Sequence, residues 1–434
     1  MYSLIHKVYA ASGGESDPKR LKMIYDESII AFEPELIRIR RHLHANPELR
    51  FEEQWTSDYV ASLLDDWGIP VVRGIGGHGL VGVLRHGKSE RSVGLRADMD
   101  ALPMHEANTF AHASRYAGKM HACGHDGHTA MLLGAARYLS QHRQFDGTVN
   151  FIFQPAEEGG GGARLMIEDG LFNRCPMDAV FGVHNWPGMP AGNFGIRPGA
   201  LMASSNTFEV RINGRGSHAG QPHRSADPVM VAVQIAQAWQ TIVSRNVDPN
   251  ESAVLSVTQI HAGSAVNVIP EQAMLNGTVR SFSADVLDMI ESRMRTVAEG
   301  IAVAFDIELT FNFTRIYPAL VNHAAEAALA GNIMRDLVGA ASVDENVERT
   351  MTSEDFAFYL LHKPGAYAFI GNGDGSARLP GQASGLCQLH SASYDFNDAL
   401  LPLGTSYWVA LAHAYLGHPG AKAKAGSAEN ELSA

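Results

Sequence analysis

The order of the apolar segments is the feature that most constrains the fold of this chain. Short strand-like runs alternate with helical segments: strands at Leu80–Leu84, Ser92–Ala97, Thr148–Phe153 and Ala179–Val183, and a helix over Thr129–His142 between the second and third. This alternation predicts an α/β layer fold with a mostly parallel sheet, preceded by helices between residues 33 and 64.

Between Ala203 and Phe313 the order changes to strand, helix, strand, strand, helix, strand. The predicted segments are Thr207–Ile212, Asp227–Val243, Ala253–Ile260, Ala273–Ser281, Ala284–Ala304 and Asp306–Phe313. The order βαββαβ is that of the ferredoxin-like α+β arrangement. The α/β pattern then resumes with predicted helices from Ala324, near Glu354–His362 and near Leu403–Leu416, and a strand at Ala366–Ile370.

These patterns predict an insertion of one domain into another. The larger, discontinuous domain comprises residues 21–200 and 316–420, and the inserted domain comprises residues 201–315. Residues 1–20 and 421–434 have the composition of flexible termini. A length of 434 residues with 45% hydrophobic and 18% charged residues fits two soluble globular domains.

Charge and cysteine content exclude several classes of partner. The formal net charge is -12 without a cluster of Lys and Arg, which argues against nucleic acid and membrane surfaces as partners. The three cysteines are far apart and odd in number, so we expect no disulfide framework and a reducing compartment. We find no signal-peptide core and no membrane-spanning run, and we therefore expect a cytoplasmic protein.

Polar residues follow three of the predicted strands. Asp98 and Asp100 follow Ser92–Ala97, the pair Glu157-Glu158 follows the next strand, and His184 follows Ala179–Val183. Because the functional site of such a sheet lies at the carboxyl ends of its strands, these side chains are expected at one edge.

Cys123 and His125 supply further metal donors in a glycine-flanked loop, and His390 lies far downstream. Thiolate, imidazole and carboxylate all bind zinc, and five donors exceed one tetrahedral site. Two divalent ions sharing a ligand, roughly 3.5–4 Å apart, would use them all. Thiolate favours zinc, and manganese, cobalt or nickel also accept this donor set.

Each of these features has an ordinary explanation when taken alone. A Cys-x-His pair arises by chance, the Glu pair before four glycines fits a solvated turn, and His184 fits a buried core histidine. Their joint placement at strand ends favours a metal site. Adjacent glutamates diverge in a loop, so one can bind metal while the other acts as a general base, and Asp100 can orient a ligand imidazole. His42 and His44 fit a solvated helix face, and His128 fits a packing or capping role.

The chain resembles the metal-dependent amidohydrolases that include hippurate hydrolases, bacterial N-acyl-amino-acid amidohydrolases and plant auxin-conjugate hydrolases. The resemblance covers about residues 37–417. It is carried by Arg40–Leu49, Leu95–Pro103, Met120–His128, Gln154–Ala163, Gly216–Ala219, Asn267–Pro270, Gly277–Arg280, Met351–Phe356 and Tyr394–Asp398.

The resemblance implies a zinc-peptidase-like catalytic domain with an inserted lid and dimerisation domain, and it implies roles for single residues. It implies Cys123 as the bridging ligand of two divalent ions and Glu157 as the general base, and it completes the ligand set with His125, Glu158, His184 and His390. It places His218 at the partner subunit's active site, where it stabilises the oxyanion. Asn267 and Arg280 correspond to substrate-binding positions, Arg280 at a carboxylate.

The implied reaction is hydrolysis of an N-acyl or N-aroyl amino acid, such as hippurate, by a homodimer. Two of these residues also have an ordinary structural explanation: His218 as a loop cap after Gly216-Ser217, and Arg280 as a solvated strand residue. The alternatives are a dipeptidase, an aryl-amine-releasing hydrolase on the same site, and a catalytically silent metal-binding relative.

Overall fold

The computed structural model describes residues 26–376, 378–385 and 387–417. The predicted flexible termini, residues 1–20 and 421–434, lie outside this range. The described helices are α1 Glu27–Ala45, α2 Gln54–Asp66, α3 His125–Gln141, α4 Gly162–Glu168, α5 Leu171–Arg174, α6 Pro228–Arg245, α7 Ala284–Ala304, α8 Ala324–Val338, α9 Ala357–Leu360 and α10 Leu401–Leu416.

The strands divide into a large sheet, a four-stranded sheet and two short pairs. In chain order they are β1 Val71–Ile75, β2 Gly79–His86, β3 Ser92–Asp98, β4 Gly147–Gln154, β5 Ala179–Pro187, β6 Phe194–Gly195, β7 Gly199–Met202, β8 Ser205–Asn213, β9 Ser217–His218, β10 Ala253–Ala262, β11 Val268–Ile269, β12 Gln272–Ser281, β13 Glu308–Tyr317, β14 Leu320–Asn322, β15 Val343–Asp344 and β16 Gly365–Gly373.

The large sheet has the strand order β1-β2-β4-β3-β5-β16-β6-β15. Its centre, β4-β3-β5-β16, is parallel, while β1 and β2 are antiparallel additions at one edge. Every residue of β3 is buried, as expected for a parallel strand covered on both faces. The predicted α/β fold with a mostly parallel sheet is therefore confirmed.

Helices cover both faces of this sheet. On one face α1, α3, α8 and α10 pack over a core that includes Leu36, Leu133 and Trp408. On the other face α4 and α9 enclose a second core that includes Met166, Tyr359 and Tyr367. No helix in the described ranges is long and apolar enough to cross a membrane.

Four strands between residues 205 and 317 form an antiparallel sheet, in the order β10-β12-β8-β13. Helices α6 and α7 cover one face of it around Trp239, which donates a hydrogen bond to the main-chain oxygen of Met294. Asp227 and Ser283 begin these helices by accepting main-chain N–H groups, as N-cap residues do. The predicted βαββαβ order is present here, and the division at residues 200 and 316 stays a prediction.

Two helix boundaries differ from the sequence-based expectation. Helix α3 begins at His125 rather than Thr129, because Gly124 turns the chain with a φ of 93°. A side chain at Gly124 would meet Asn185 Oδ1 at 2.2 Å. The helix expected over Glu354–His362 is reduced to α9, since the two carboxylates before it are bonded to buried groups in a loop.

Close packing of α3 against α10 yields a test of the core. A Cβ at Gly134 would lie 2.4 Å from Thr405 Oγ1 and 3.0 Å from Leu36 Cδ2. Overpacking costs about 1–3 kcal/mol, more than the gain of about 1 kcal/mol in helix propensity from Gly to Ala. We predict that Gly134→Ala lowers the free energy of unfolding in urea.

The matched control is Gly300→Ala in α7, where a Cβ would meet nothing within 4 Å. This substitution should raise the free energy of unfolding by up to about 1 kcal/mol. Equal effects of the two substitutions would contradict the packing described for α3 and α10.

Candidate metal centre

The candidate site lies where the central strands of the large sheet end. Asp98 is the last residue of β3, Glu157 follows β4 by three residues, and His184 lies in the second half of β5. Cys123 and His125 reach the same place from the start of α3. The parallel centre of the sheet thus brings together residues that are remote in sequence.

The five predicted metal donors are all in this cluster. Ligand atoms of Cys123, His125 and His184 lie within 4.8 Å of one another, and so do those of Cys123, Glu158 and His390. The two sets share only Cys123. One thiolate between two ligand sets is the arrangement that two ions with a bridging ligand require.

Two imidazoles are oriented toward the cluster by main-chain oxygens. Nδ1 of His125 lies 2.8 Å from the Asp100 main-chain oxygen, and Nδ1 of His184 lies 2.7 Å from that of Asn185. This leaves Nε2 of each ring facing inward: His184 Nε2 is 3.4 Å from Cys123 Sγ, and His125 Nε2 is buried without a hydrogen-bond partner. A metal-binding histidine typically has its second nitrogen held in this way.

The second donor set joins Glu158 and His390. His390 Nε2 lies 3.1 Å from Glu158 Oε1, and the His390 main-chain N–H donates to the oxygen of Ala122, next to Cys123. Asp100 contacts both donor sets, because its Oδ2 accepts the Glu158 N–H at 2.9 Å and its Oδ1 lies 3.3 Å from His125 Nδ1. Asp100 is therefore placed to orient ligands.

Glu157 differs from Glu158 in its environment. Its carboxylate is buried, lies within 4.8 Å of donor atoms of His125 and Glu158, and is equally near Glu354 and Asp355. Burial first, and then the neighbouring carboxylates, raise the pKa of Glu157 well above its ordinary value. A carboxylate with a raised pKa beside a metal site has the properties of a general base.

Sequence reasoning assigned no role to a buried ionic cluster beneath the site. Arg96 contacts Asp98, Glu354 and Asp355 at 2.7, 2.9 and 3.1 Å, respectively. Arg96 lies two residues before Asp98 on β3, so both side chains project from the same face of the strand. This spacing could have predicted the contact between them. The role of Glu354 and Asp355 was not apparent, because Arg96 lies more than 250 residues away from both in the sequence.

The expected packing role of His128 is confirmed, since its ring is buried, but both ring nitrogens also have polar partners. Its Nδ1 lies 2.6 Å from Asp98 Oδ1, and its Nε2 lies 2.8 Å from Asn185 Oδ1 and accepts the Asn185 N–H. Asn185 in turn donates to the Tyr394 hydroxyl. His128 therefore connects the end of β3 to the segment that carries His390.

The expectation of a solvated helix face at His42 and His44 was wrong. His44 is fully buried, with Nδ1 2.8 Å from Asp126 and Nε2 3.1 Å from Glu106. His42 is half-buried and packs edge-on against Trp55. Arg40, Arg41 and His44 contact carboxylates of other segments, and a helix-face pattern does not reveal such distant partners.

The three predicted residues of the inserted region stand apart from the donor cluster. His218 is exposed, and its Nδ1 accepts the N–H of Gly220. Asn267 is exposed beside it, and its main-chain oxygen accepts the Ala219 N–H. Arg280 is half-buried and donates to Thr278 Oγ1. Within the described residues, no hydrogen bond or ion pair joins these three side chains to the five donors.

The charge balance of the cluster fits cations. Arg96 faces three carboxylates, and Glu157 and Glu158 add two more without a nearby lysine or arginine among their described ion pairs. Burial, followed by the charges of Glu158 and Glu157, raises the pKa of the Cys123 thiol well above its usual range. A divalent cation would reverse that shift, since a coordinated thiol is deprotonated. The donor types and their charge are thus suited to metal.

Comparison with known proteins agrees with this geometry. The family model described as Peptidase family M20/M25/M40 matches residues 94–414. The chain belongs to this family. Hippurate hydrolase of Campylobacter jejuni is 42% identical over 388 residues, which is 89% of this chain and 98% of that protein.

Two further similarities extend the comparison. N-acetyl-L-cysteine deacetylase of Bacillus subtilis is 40% identical, across 82% of this chain and 83% of that protein. The crystal structure of the Bacillus subtilis YXEP protein, a dinuclear metal binding peptidase from the M20 family, is similar with a TM-score of 0.76 and 34% identity. That match covers 89% of this chain and 99% of the other. The resemblance inferred from the sequence motifs is therefore confirmed.

The buried contact of His44 with Asp126 yields a stability prediction. Burial lowers the pKa of His44, but Asp126 and Glu106 outweigh burial and raise it to about 10. Because the folded pKa is raised, the stabilisation is complete below about pH 6.5 and is lost as pH rises toward 10. We predict that His44→Leu lowers the free energy of unfolding by about 3–5 kcal/mol at pH 6, since it leaves Asp126 without its closest partner.

The difference between wild type and His44→Leu, measured by urea unfolding of metal-free protein, should shrink between pH 6.5 and 10. The control is Arg85→Ala, which removes the exposed Arg85–Glu90 pair and should change stability by less than about 1 kcal/mol. A His44 effect that is small or independent of pH would contradict the charged pair.

Proposed function

We propose that this protein is a metal-dependent amidohydrolase that cleaves N-acyl or N-aroyl amino acids to a carboxylic acid and a free amino acid. The main support is the convergence of five metal donors on Cys123 with Glu157 left over as a buried carboxylate beside them. Hippurate and N-acetylcysteine, which the similar enzymes' names give as substrates, are both N-acylated amino acids. A protein that only binds metal needs no spare base.

Two divalent ions are proposed, with zinc or manganese favoured and cobalt or nickel also suited to the donors. His125 and His184 would complete one ion's ligands, and Glu158 and His390 the other's, with Cys123 shared. When bound, such ions lower the pKa of a water molecule and polarise a carbonyl group.

The proton transfers are assigned to Glu157. Its carboxylate takes a proton from the attacking water as the water oxygen bonds to the acyl carbon. It returns that proton to the amide nitrogen as the C–N bond breaks, and the amine leaves. Burial and the neighbouring carboxylates raise the pKa of Glu157, which favours uptake of the proton from water. Asp100 acts as a positioning residue through His125 and Glu158.

The inserted domain, residues 201–315, is proposed as the lid and dimerisation module. His218 is exposed on a short strand pair with Asn267 beside it, and among the described residues neither side chain has a hydrogen bond or ion pair with the five donors. We propose that His218 serves the partner subunit by donating to the oxyanion. Asn267 and Arg280 are proposed to bind the substrate, with Arg280 at its carboxylate.

The compartment proposed for this activity is the cytoplasm. All three cysteines are free, and two of them, Cys123 and Cys175, are buried. Free thiols persist in a reducing compartment. A thiolate metal ligand would also be protected there from oxidation.

Replacing the base tests the proposed function most simply. We predict that Glu157→Gln retains the metal content of wild type and lowers kcat on hippurate by about 100-fold or more, since it removes proton transfer only. Glu168→Gln, at an exposed carboxylate on the same segment, should leave kcat unchanged. Metal analysis and amino-acid release assays provide both readouts, and N-benzoyl, N-acetyl and dipeptide substrates would rank the acyl preference. An active, metal-loaded Glu157→Gln variant would refute the assignment.

A mixed-dimer experiment tests the role of His218. His218→Ala should lower kcat by about 100- to 1000-fold with metal content unchanged, because an oxyanion donor is lost. Co-assembly of Glu157→Gln and His218→Ala subunits should restore about a quarter of wild-type activity, since half of the dimers then contain one intact site. Activity that stays at the level of the separate variants would exclude a contribution across subunits.

A further inference from the structure

A basic cavity lies on the side of α1, with no part in the donor cluster. Its volume is about 410 Å³, it is lined by nine residues, and its polar wall is formed by Arg38, Arg41, His42, His112 and Arg115. Three arginines and two histidines are among the nine residues, and no carboxylate is. The chain has a formal net charge of -12, so an average part of its surface carries more acidic than basic residues. The lining of this cavity has the opposite composition.

The arginines differ in how far their charge is already neutralised. Arg38 pairs with Glu35 through both Nε and Nη2, and Arg41 pairs with Asp398 through Nε at 2.9 Å and Nη2 at 2.8 Å. The guanidinium of Arg115 has no hydrogen bond or ion pair with the described residues, although its main-chain N–H is fixed to the oxygen of Ala45. Arg115 therefore faces the cavity with its donors available.

The cavity and the metal centre are separated by a buried ionic layer. Arg40 occupies this layer with contacts to Asp395 at 2.8 Å and to Asp126 at 3.6 Å. His112 closes the cavity wall toward the same Asp395 and stacks on Phe110 with ring centroids 3.8 Å apart. None of the five metal donors lines the cavity.

The chemistry of the wall selects a class of ligand. Guanidinium groups bind carboxylate and phosphate oxygens in pairs, and volumes of roughly 300–1,000 Å³ accommodate small molecules. Pro34, Ile37, Ala45 and Ala111 supply apolar surface for a short carbon skeleton. We propose that this cavity is a second binding site, for a small organic anion whose carboxylate or phosphate group contacts Arg115.

Crystals of the metal-loaded protein are soaked in selenate, as a probe of phosphate-type ligands, or in 4-bromobenzoate, as a probe of carboxylates. Anomalous scattering from selenium or bromine then shows where each probe binds. We expect an anomalous peak in the cavity within hydrogen-bonding reach of Arg115. Selenate alone in the cavity assigns a phosphate-type ligand, and 4-bromobenzoate alone assigns a carboxylate. Either result supports the site, and the absence of both from the cavity overturns it.

Variants provide the test in solution. The variant Arg115→Ala should weaken binding of selenate or of 4-bromobenzoate, whichever occupies the cavity, about tenfold or more, as measured by calorimetry, because the guanidinium contact is removed. The control variant Arg245→Ala removes the same charge from an exposed position elsewhere and should bind as wild type does. Both variants should retain hydrolysis, which confirms folding and keeps this test separate from that of the proposed function. Equal affinity of the two variants would overturn the proposal.

Discussion

The structure depends on the confinement of negative groups at the ends of the central strands. The thiol of Cys123 and the carboxylates of Glu157, Asp98 and Asp100 are all buried around imidazoles whose outer nitrogens are already held. Removing such groups from water is costly unless positive charge accompanies them. Arg96 supplies one positive charge beneath the site, and metal cations at Cys123 would supply the rest. The order of the strands, the turn at Gly124 and the loop of His390 all serve this convergence.

Hydrogen bonds and ion pairs around the site hold the segments that carry the metal donors. His128, Asn185 and Tyr394 link the end of β3 to the segment that carries His390. On the other side, His44 and Arg40 connect α1 to Asp126, which lies beside His125. Each link satisfies a buried polar group and also fixes a donor. Stability and ligand geometry are therefore coupled, and a substitution several residues from the cluster is expected to alter both.

The sequence predicted the parts of the fold that periodicity encodes. Alternation identified the sheet, and helix α7 was predicted at Ala284–Ala304, where Ser283 supplies a cap. Glu157, Glu158 and His184 could be located in the sequence because they follow predicted strands, and Cys123 and His125 because they share a glycine-flanked loop. His128 and His44 were missed because their partners lie 30 and 82 residues away. The local spacing of Arg96 and Asp98 did not reveal the contact of Arg96 with Asp355, which lies 259 residues away. The start of α3 was misplaced because a left-handed glycine replaces the usual polar cap.

We propose that Cys123 belongs to two ligand sets at once. Anomalous diffraction from crystals of the metal-loaded protein, recorded on both sides of the absorption edge of the bound metal, would locate the ions. We expect two metal peaks, each within bonding distance of Cys123 Sγ, one beside His125 and His184 and the other beside Glu158 and His390. A single peak, or two peaks of which one lies away from this sulfur, would refute a shared thiolate ligand.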